Sequence, residues 1–187
     1  MWLRRAGFFL MVACLVSTAR AANLDIDLAS NAASITYTAN LTDTGLEGSL
    51  CYLHHTNVVD VASGGLDLVG NASPVGSPLI FGVGGKLFVI DPKLVHANGA
   101  AVGLGAHFRY TWPDYNRFAI GGELYFAPSI VTFQDTQRYL QAGMRAEYEV
   151  LRNADVYIGY RYVTAAFKGT STVTLDSSIV VGLSLNF

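Results

Sequence analysis

In the stretch "AAVGLGAHFRYTW", Val102, Leu104, Ala106, Phe108, Tyr110 and Trp112 share one parity, while Ala101, Gly103, Gly105, His107, Arg109 and Thr111 share the other. Successive side chains of a β-strand point to opposite faces, so the stretch predicts a strand with one bulky apolar face and one small or polar face. The split recurs. Leu140, Ala142, Met144, Ala146, Tyr148 and Val150 oppose Gln141, Gly143, Arg145, Glu147 and Glu149. Val156, Ile158, Tyr160 and Tyr162 oppose Gly159 and Arg161, and Phe81, Val83, Leu87 and Val89 oppose Gly82, Gly84 and Lys86. Phe118, Ile120, Leu124 and Phe126 oppose Gly121 and Glu123. The final run sets Ile179, Val181, Leu183, Leu185 and Phe187 against Val180, Gly182, Ser184 and Asn186. With turn residues between them, these runs predict strands over 46–55, 58–69, 79–90, 100–112, 117–127, 138–149, 155–166 and 175–187.

The predicted strands are 10–13 residues long, above the usual five or six of globular strands. A strand tilted by about 45° crosses a bilayer in roughly 9–11 residues. Length and alternation together predict an all-β, antiparallel, up-and-down transmembrane barrel of eight strands. Two shorter runs, 24–29 and 33–39, read as an N-terminal hairpin; if it joins the wall the count is ten. The apolar face then meets lipid and the polar face fills the lumen. Aromatic residues near strand ends (Tyr110, Trp112, Phe118, Phe126, Tyr148 and Phe187) fit interfacial girdles. The five prolines fall at or beyond the ends of the predicted strands, where a missing amide donor is tolerated.

Composition agrees. Charged residues are only 14% and hydrophobic residues 51%, with a mean hydropathy of +0.35. Arg4 and Arg5, the apolar run 7–17 and Ala19-Arg20-Ala21 have the order of a cleaved export signal. The expected division is residues 1–21 as signal peptide and 22–187 as the barrel domain. The signal takes three of the twelve Lys and Arg and none of the fourteen acids. The remainder carries nine against fourteen, a formal charge of −5. Such a balance argues against nucleic acid as a partner, which calls for a basic face. Only Cys51 remains after the signal, so no intrachain disulfide is expected. Beyond the signal no apolar run reaches the length of a membrane-spanning helix.

At the stretches "GLEGSLCYLHH", "LVGNAS", "GVGGKLFVID", "NRFAIGGELYFAPSIVTFQDTQRYLQAGMRAEYEVLRNADVYIGYRYV" and "VGLSLNF" the chain resembles the YfaZ family of small outer-membrane proteins. The resemblance implies an outer-membrane β-barrel of a Gram-negative bacterium. It implies no catalytic residue and no defined substrate, and a porin-like role is one suggestion attached to it.

The chemistry expected of the polar face is charge pairing. Glu47, Lys86, His107, Arg109, Glu123, Arg145, Glu147 and Arg161 are the candidate lumenal network. With Asp67 and Glu149 the two signs nearly balance. Charges held away from water need partners. The network is structural filling on one reading and the lining of a path for small solutes on the other. The function pointed to is that of an integral outer-membrane protein. It takes the form of a narrow porin-like pore, or alternatively of a closed structural or interaction barrel. A lipid-modifying enzyme is a third reading. It would need His55 or His96 to reach Ser129 across strands, and no nucleophile-elbow motif is present. No enzyme, cofactor or metal site is expected; His54 and His55 are adjacent and so point to opposite faces. Leu183, Leu185 and Phe187 resemble a C-terminal assembly signal. The expected partners are therefore outer-membrane lipid and the assembly machinery, with the barrel itself a monomer.

Overall fold

The computed structural model describes residues 21–42, 45–71, 78–93, 98–169 and 171–187. They form eleven strands: β1 (Ala22–Leu28), β2 (Ala32–Asn40), β3 (Leu46–His55), β4 (Val59–Asn71), β5 (Leu79–Pro92), β6 (Gly99–Thr111), β7 (Phe118–Ala127), β8 (Thr132–Gln134), β9 (Thr136–Leu151), β10 (Ala154–Phe167) and β11 (Val173–Asn186). All strands but β8 form a closed antiparallel ring in sequence order, with β9 following β7 and β11 returning to β1. In the closing pair Leu24 lies opposite Leu185, Ile26 opposite Leu183 and Leu28 opposite Val181. The expected export signal lies outside the described residues except for Ala21.

The barrel therefore has ten strands rather than eight. The N-terminal hairpin is part of the wall, although β1 has 7 residues and β2 has 9. A length threshold for crossing misses them because the wall is uneven in height. Of β11, residues 181–186 pair with β1, and Val173–Val180 rise above it, paired among the described residues with β10 alone. The ring is tall along β9–β11 and low along β1–β2. The short β8 patches a second unevenness. Strand β7 covers β6 from Leu104 to Thr111, and beyond its end Thr132–Gln134 pairs with Gly99–Ala101.

The described residues at 29–31, 56–58, 93, 98, 128–135, 168–169 and 171–172 share one rim, called here the loop rim. The opposite, terminal rim carries residues 41–42, 45, 78, 112–117 and 152–153, with Ala22 and Phe187 joined by backbone bonds. The position just before β3 needs its glycine. Gly45 has φ +82°, and a Cβ there would lie 2.2 Å from the Val69 carbonyl oxygen.

The faces follow the alternation. Leu104 is 72% exposed and Ile179 67%, values that make sense only for side chains meant for lipid. Tyr110 and Trp112 pack edge to face at 5.3 Å, and the Phe118 and Tyr148 rings meet tilted at 4.8 Å. With exposed Phe187 they belt the terminal rim. Phe126 lies higher on the outer face, toward the loop rim.

Candidate functional site

The lumen is divided into two layers of different chemistry. The layer under the loop rim is apolar. Leu53, Val59, Val61, Phe88, Ile90, Tyr125, Tyr139, Val163, Phe167 and Leu175 point inward from seven strands and form one buried cluster with Ala32, Ala101, Ala127 and Ala165. The Phe88 and Tyr139 rings meet at 4.3 Å, and both are fully buried. This is a packed core lying across the barrel. The sequence holds a signal for it. Near the loop rim alternation gives way to apolar residues on both parities, as in Leu87-Phe88-Val89-Ile90 and Val163–Phe167. Continuous apolar runs mark strands covered on both faces.

The layer toward the terminal rim is polar and encloses a cavity of about 320 Å³. All eight candidate residues face it. Arg109 Nε donates to Glu147 at 2.6 Å, and Arg145 Nε donates to the other oxygen of the same carboxylate at 2.6 Å. Arg145 also reaches Asp25 at 2.8 Å, and Arg109 reaches Asp155 at 3.7 Å. Lys86 pairs with Glu123 at 3.0 Å, and Gln141 donates to the same carboxylate at 2.7 Å. Arg161 lies deepest, between Asp176 at 2.6 Å and Asp27 at 3.2 Å, and donates to Ser34 at 2.6 Å. Two tyrosines tie the layers together. Tyr139 donates to Gln141 at 3.0 Å and Tyr125 donates to Asp67 at 2.9 Å, so the rings sit in the apolar layer and the hydroxyls in the polar one. Lys86 Nζ lies 4.0 Å from the centre of the Tyr125 ring, a cation–π contact beneath the plug.

The expected balance of charge does not hold. The described lumen contains eight carboxylates (Asp25, Asp27, Glu47, Asp67, Glu123, Glu147, Asp155 and Asp176) against Lys86, Arg109, Arg145 and Arg161. Asp25 and Asp27 escape a sequence reading that leaves β1 outside the wall. Asp155 and Asp176 share the inward parity of Arg161 and of Ser184 respectively, but they sit at the very starts of the predicted strands 155–166 and 175–187, where alternation gives little warning of a lumenal side chain. Glu47 and Asp67 have no Lys or Arg within 4 Å among the described residues. His107 Nε2 stands 3.8 Å from Glu47, and one ligand atom each of Glu47, Asp67 and His107 fall within 4.8 Å of one another.

On the outer face His54 pairs with Asp60 at 2.6 Å, whereas the neighbouring His55 has its Nδ1 buried without a hydrogen-bond partner among the described residues. His55 and Ser129 share no hydrogen bond, and His96 lies outside the described residues. Leu183 and Phe187 face outward, with Leu185 half-buried between them.

Residues 2–187 match the sequence profile of a family described as "YfaZ precursor". The curated "Outer membrane protein YfaZ" of Escherichia coli (strain K12) is 32% identical over 146 residues, covering 77% of this chain and 76% of that protein. Among solved structures, a "KdgM porin" superposes with a TM-score of 0.47 at 12% identity, covering 89% of this chain and 99% of that one. A "NanC porin" superposes with a TM-score of 0.45 at 8% identity, covering 88% and 98%.

Proposed function

Because this chain belongs to the YfaZ family of outer-membrane proteins, we propose that it serves there as a sealed barrel, closed at the loop rim and presenting a charged, one-ended vestibule at the terminal rim. The chain reaches the outer membrane from the periplasm. The rim that joins Ala22 to Phe187 is therefore taken as periplasmic, with the hairpin tips outside. The vestibule then faces the periplasm.

One observation carries the reading: the apolar layer. Phe88, Tyr125, Tyr139, Val59 and Val163 have no exposed surface. Small barrels of about eight strands have interiors just wide enough for side chains to fill. Two more strands leave room for a cavity, yet the upper half is packed shut. Water enters apolar voids reluctantly and polar ones readily, so the vestibule is wet and the plug dry. The excess of carboxylates makes the vestibule selective for cationic guests. A narrow porin-like pore is the competing reading.

The deciding measurement is conductance of the purified mature protein in planar bilayers. The sealed barrel gives a quiet baseline at neutral pH. Steady open channels in the unmodified protein would establish the pore instead.

A further inference from the structure

The geometry points to a divalent transition-metal site inside the vestibule, formed by Glu47 of β3, Asp67 of β4 and His107 of β6. One ligand atom from each lies within 4.8 Å of the others. Around an ion bonded at about 2.1 Å, neighbouring ligand atoms stand roughly 3.0–3.6 Å apart. The three side chains therefore need to close by only about an ångström.

Hydrogen bonding around His107 favours the ligating form of the ring. Tyr125 donates its hydroxyl proton to Asp67 Oδ1 at 2.9 Å, and the Tyr125 hydroxyl oxygen lies 3.4 Å from His107 Nδ1. With its only proton directed at Asp67, the tyrosine oxygen can only accept from the ring, so Nδ1 carries the hydrogen. Nε2 of the neutral ring is then a bare lone pair, and it faces a carboxylate oxygen of Glu47 at 3.8 Å. Two acceptors facing each other at that separation repel, and a cation between them reverses the sign. A metal-bound histidine commonly has its other nitrogen anchored this way. Asp67 adds a second reason. It is 2% exposed and pairs with no Lys or Arg among the described residues, its hydrogen bond coming from Tyr125. A buried carboxylate without a counter-charge is costly.

The backbone makes room for the trio. A Cβ on Gly82 would lie 2.4 Å from His107 Cε1, one on Gly84 2.5 Å from Asp67 Oδ1, and one on Gly105 2.5 Å from Tyr125 Cδ1. Bare backbone on β5 and β6 thus opens the space these side chains occupy. One imidazole with two carboxylates is a borderline ligand set that suits Zn²⁺ or Mn²⁺ better than Ca²⁺ or Mg²⁺, and it lacks the thiolate that copper(I) prefers. Water in the cavity completes the coordination. The site is independent of whether the barrel conducts.

The test uses the full mature barrel, refolded without an affinity tag and stripped with chelator. Equilibrium dialysis against Zn²⁺ is read by elemental analysis, with Mn²⁺, Ca²⁺ and Mg²⁺ in parallel. Folded state is checked by heat-modifiable gel mobility. The expected result is one Zn²⁺ per chain, weakened at least tenfold in His107→Gln and in Glu47→Gln. His54→Ala, on the outer face, keeps wild-type binding. Co²⁺ in place of Zn²⁺ reports a nitrogen ligand through its visible absorption, lost in His107→Gln. Asp67→Asn is informative only if it folds, and the other two variants stand without it. Absence of stoichiometric Zn²⁺, Zn²⁺ binding unchanged in His107→Gln, or Ca²⁺ and Mg²⁺ binding as tightly as Zn²⁺ would each overturn the assignment.

Discussion

Removing the two rings that meet at the centre of the plug should both destabilise the barrel and open it. Phe88 and Tyr139 are fully buried with ring centroids 4.3 Å apart. Truncating a buried aromatic ring to alanine costs about 3–5 kcal/mol. Tyr139 also loses its bond to Gln141, about 1 kcal/mol more. The rings touch, so their losses are not additive, and the Phe88→Ala/Tyr139→Ala double variant should lose about 6 kcal/mol. The void would join the cavity of about 320 Å³ beneath it, and water can follow from the polar side. Two assays read the two effects. Urea unfolding in lipid vesicles can follow Trp112, since Trp2 falls in the expected export signal. Planar-bilayer recording should show discrete openings in the double variant and none in the parent. A loss below about 1 kcal/mol would mean that the rings are not part of a packed core. Openings of equal size in both proteins would mean that the plug does not close the lumen.

The remaining predictions concern the polar layer and the wall. Arg161→Met leaves Asp27 and Asp176 without their shared cation at a site where the arginine side chain is 10% and Asp176 0% exposed; urea titration should register a loss of about 3–5 kcal/mol. By contrast His54→Ala, which breaks an exposed pair with Asp60, should cost under about 1 kcal/mol in the same titration. Gly182→Ala would place a Cβ 2.2 Å from Cζ of Tyr157, disturbing its bond to Asp27, and should lower stability by about 1–3 kcal/mol; a silent Gly182→Ala would refute the close packing of that ring. Deleting Phe187 removes the backbone bonds to Ala22 and the last aromatic of the rim belt. The amount of heat-modifiable protein in outer-membrane fractions should fall, and unchanged amounts would argue against an assembly role.

Parity made most of the wall and half of the lumen legible. Strict alternation assigns a face without knowledge of the partner strand, so Lys86, Arg109, Glu123 and Arg145 could be placed inside from the sequence alone. Parity does not say which inward residues share a height in the barrel. That depends on register, and register brings Arg145 of β9 to Asp25 of β1, 120 positions away in the chain. The metal trio is hidden for the same reason, since β3, β4 and β6 contribute one residue each and no local spacing joins them. The plug was concealed differently. Its residues occupy the face expected to be small or polar, and the apolar runs containing them, such as Leu87–Ile90, also satisfy the pattern of a lipid-facing strand.

The uneven wall bears on the order in which the barrel is made. The pair that closes the ring joins Asn23 to Asn186, 163 positions apart, whereas every other neighbouring pair of wall strands is consecutive or nearly so. Bringing such distant segments together carries the largest loop-closure entropy in the molecule, and the contact rewarding it spans only 181–186 of β11. Closure should therefore come last, from a curled open sheet whose two free edges are β1 and β11. Even after closure, Val173–Val180 has no strand paired on the side away from β10 among the described residues, with Thr174, Asp176, Ser177 and Ser178 interrupting its apolar residues. Polar interruptions of that kind keep an open edge from recruiting stray strands, so the tall side of the wall can stand unpaired without becoming a template for aggregation.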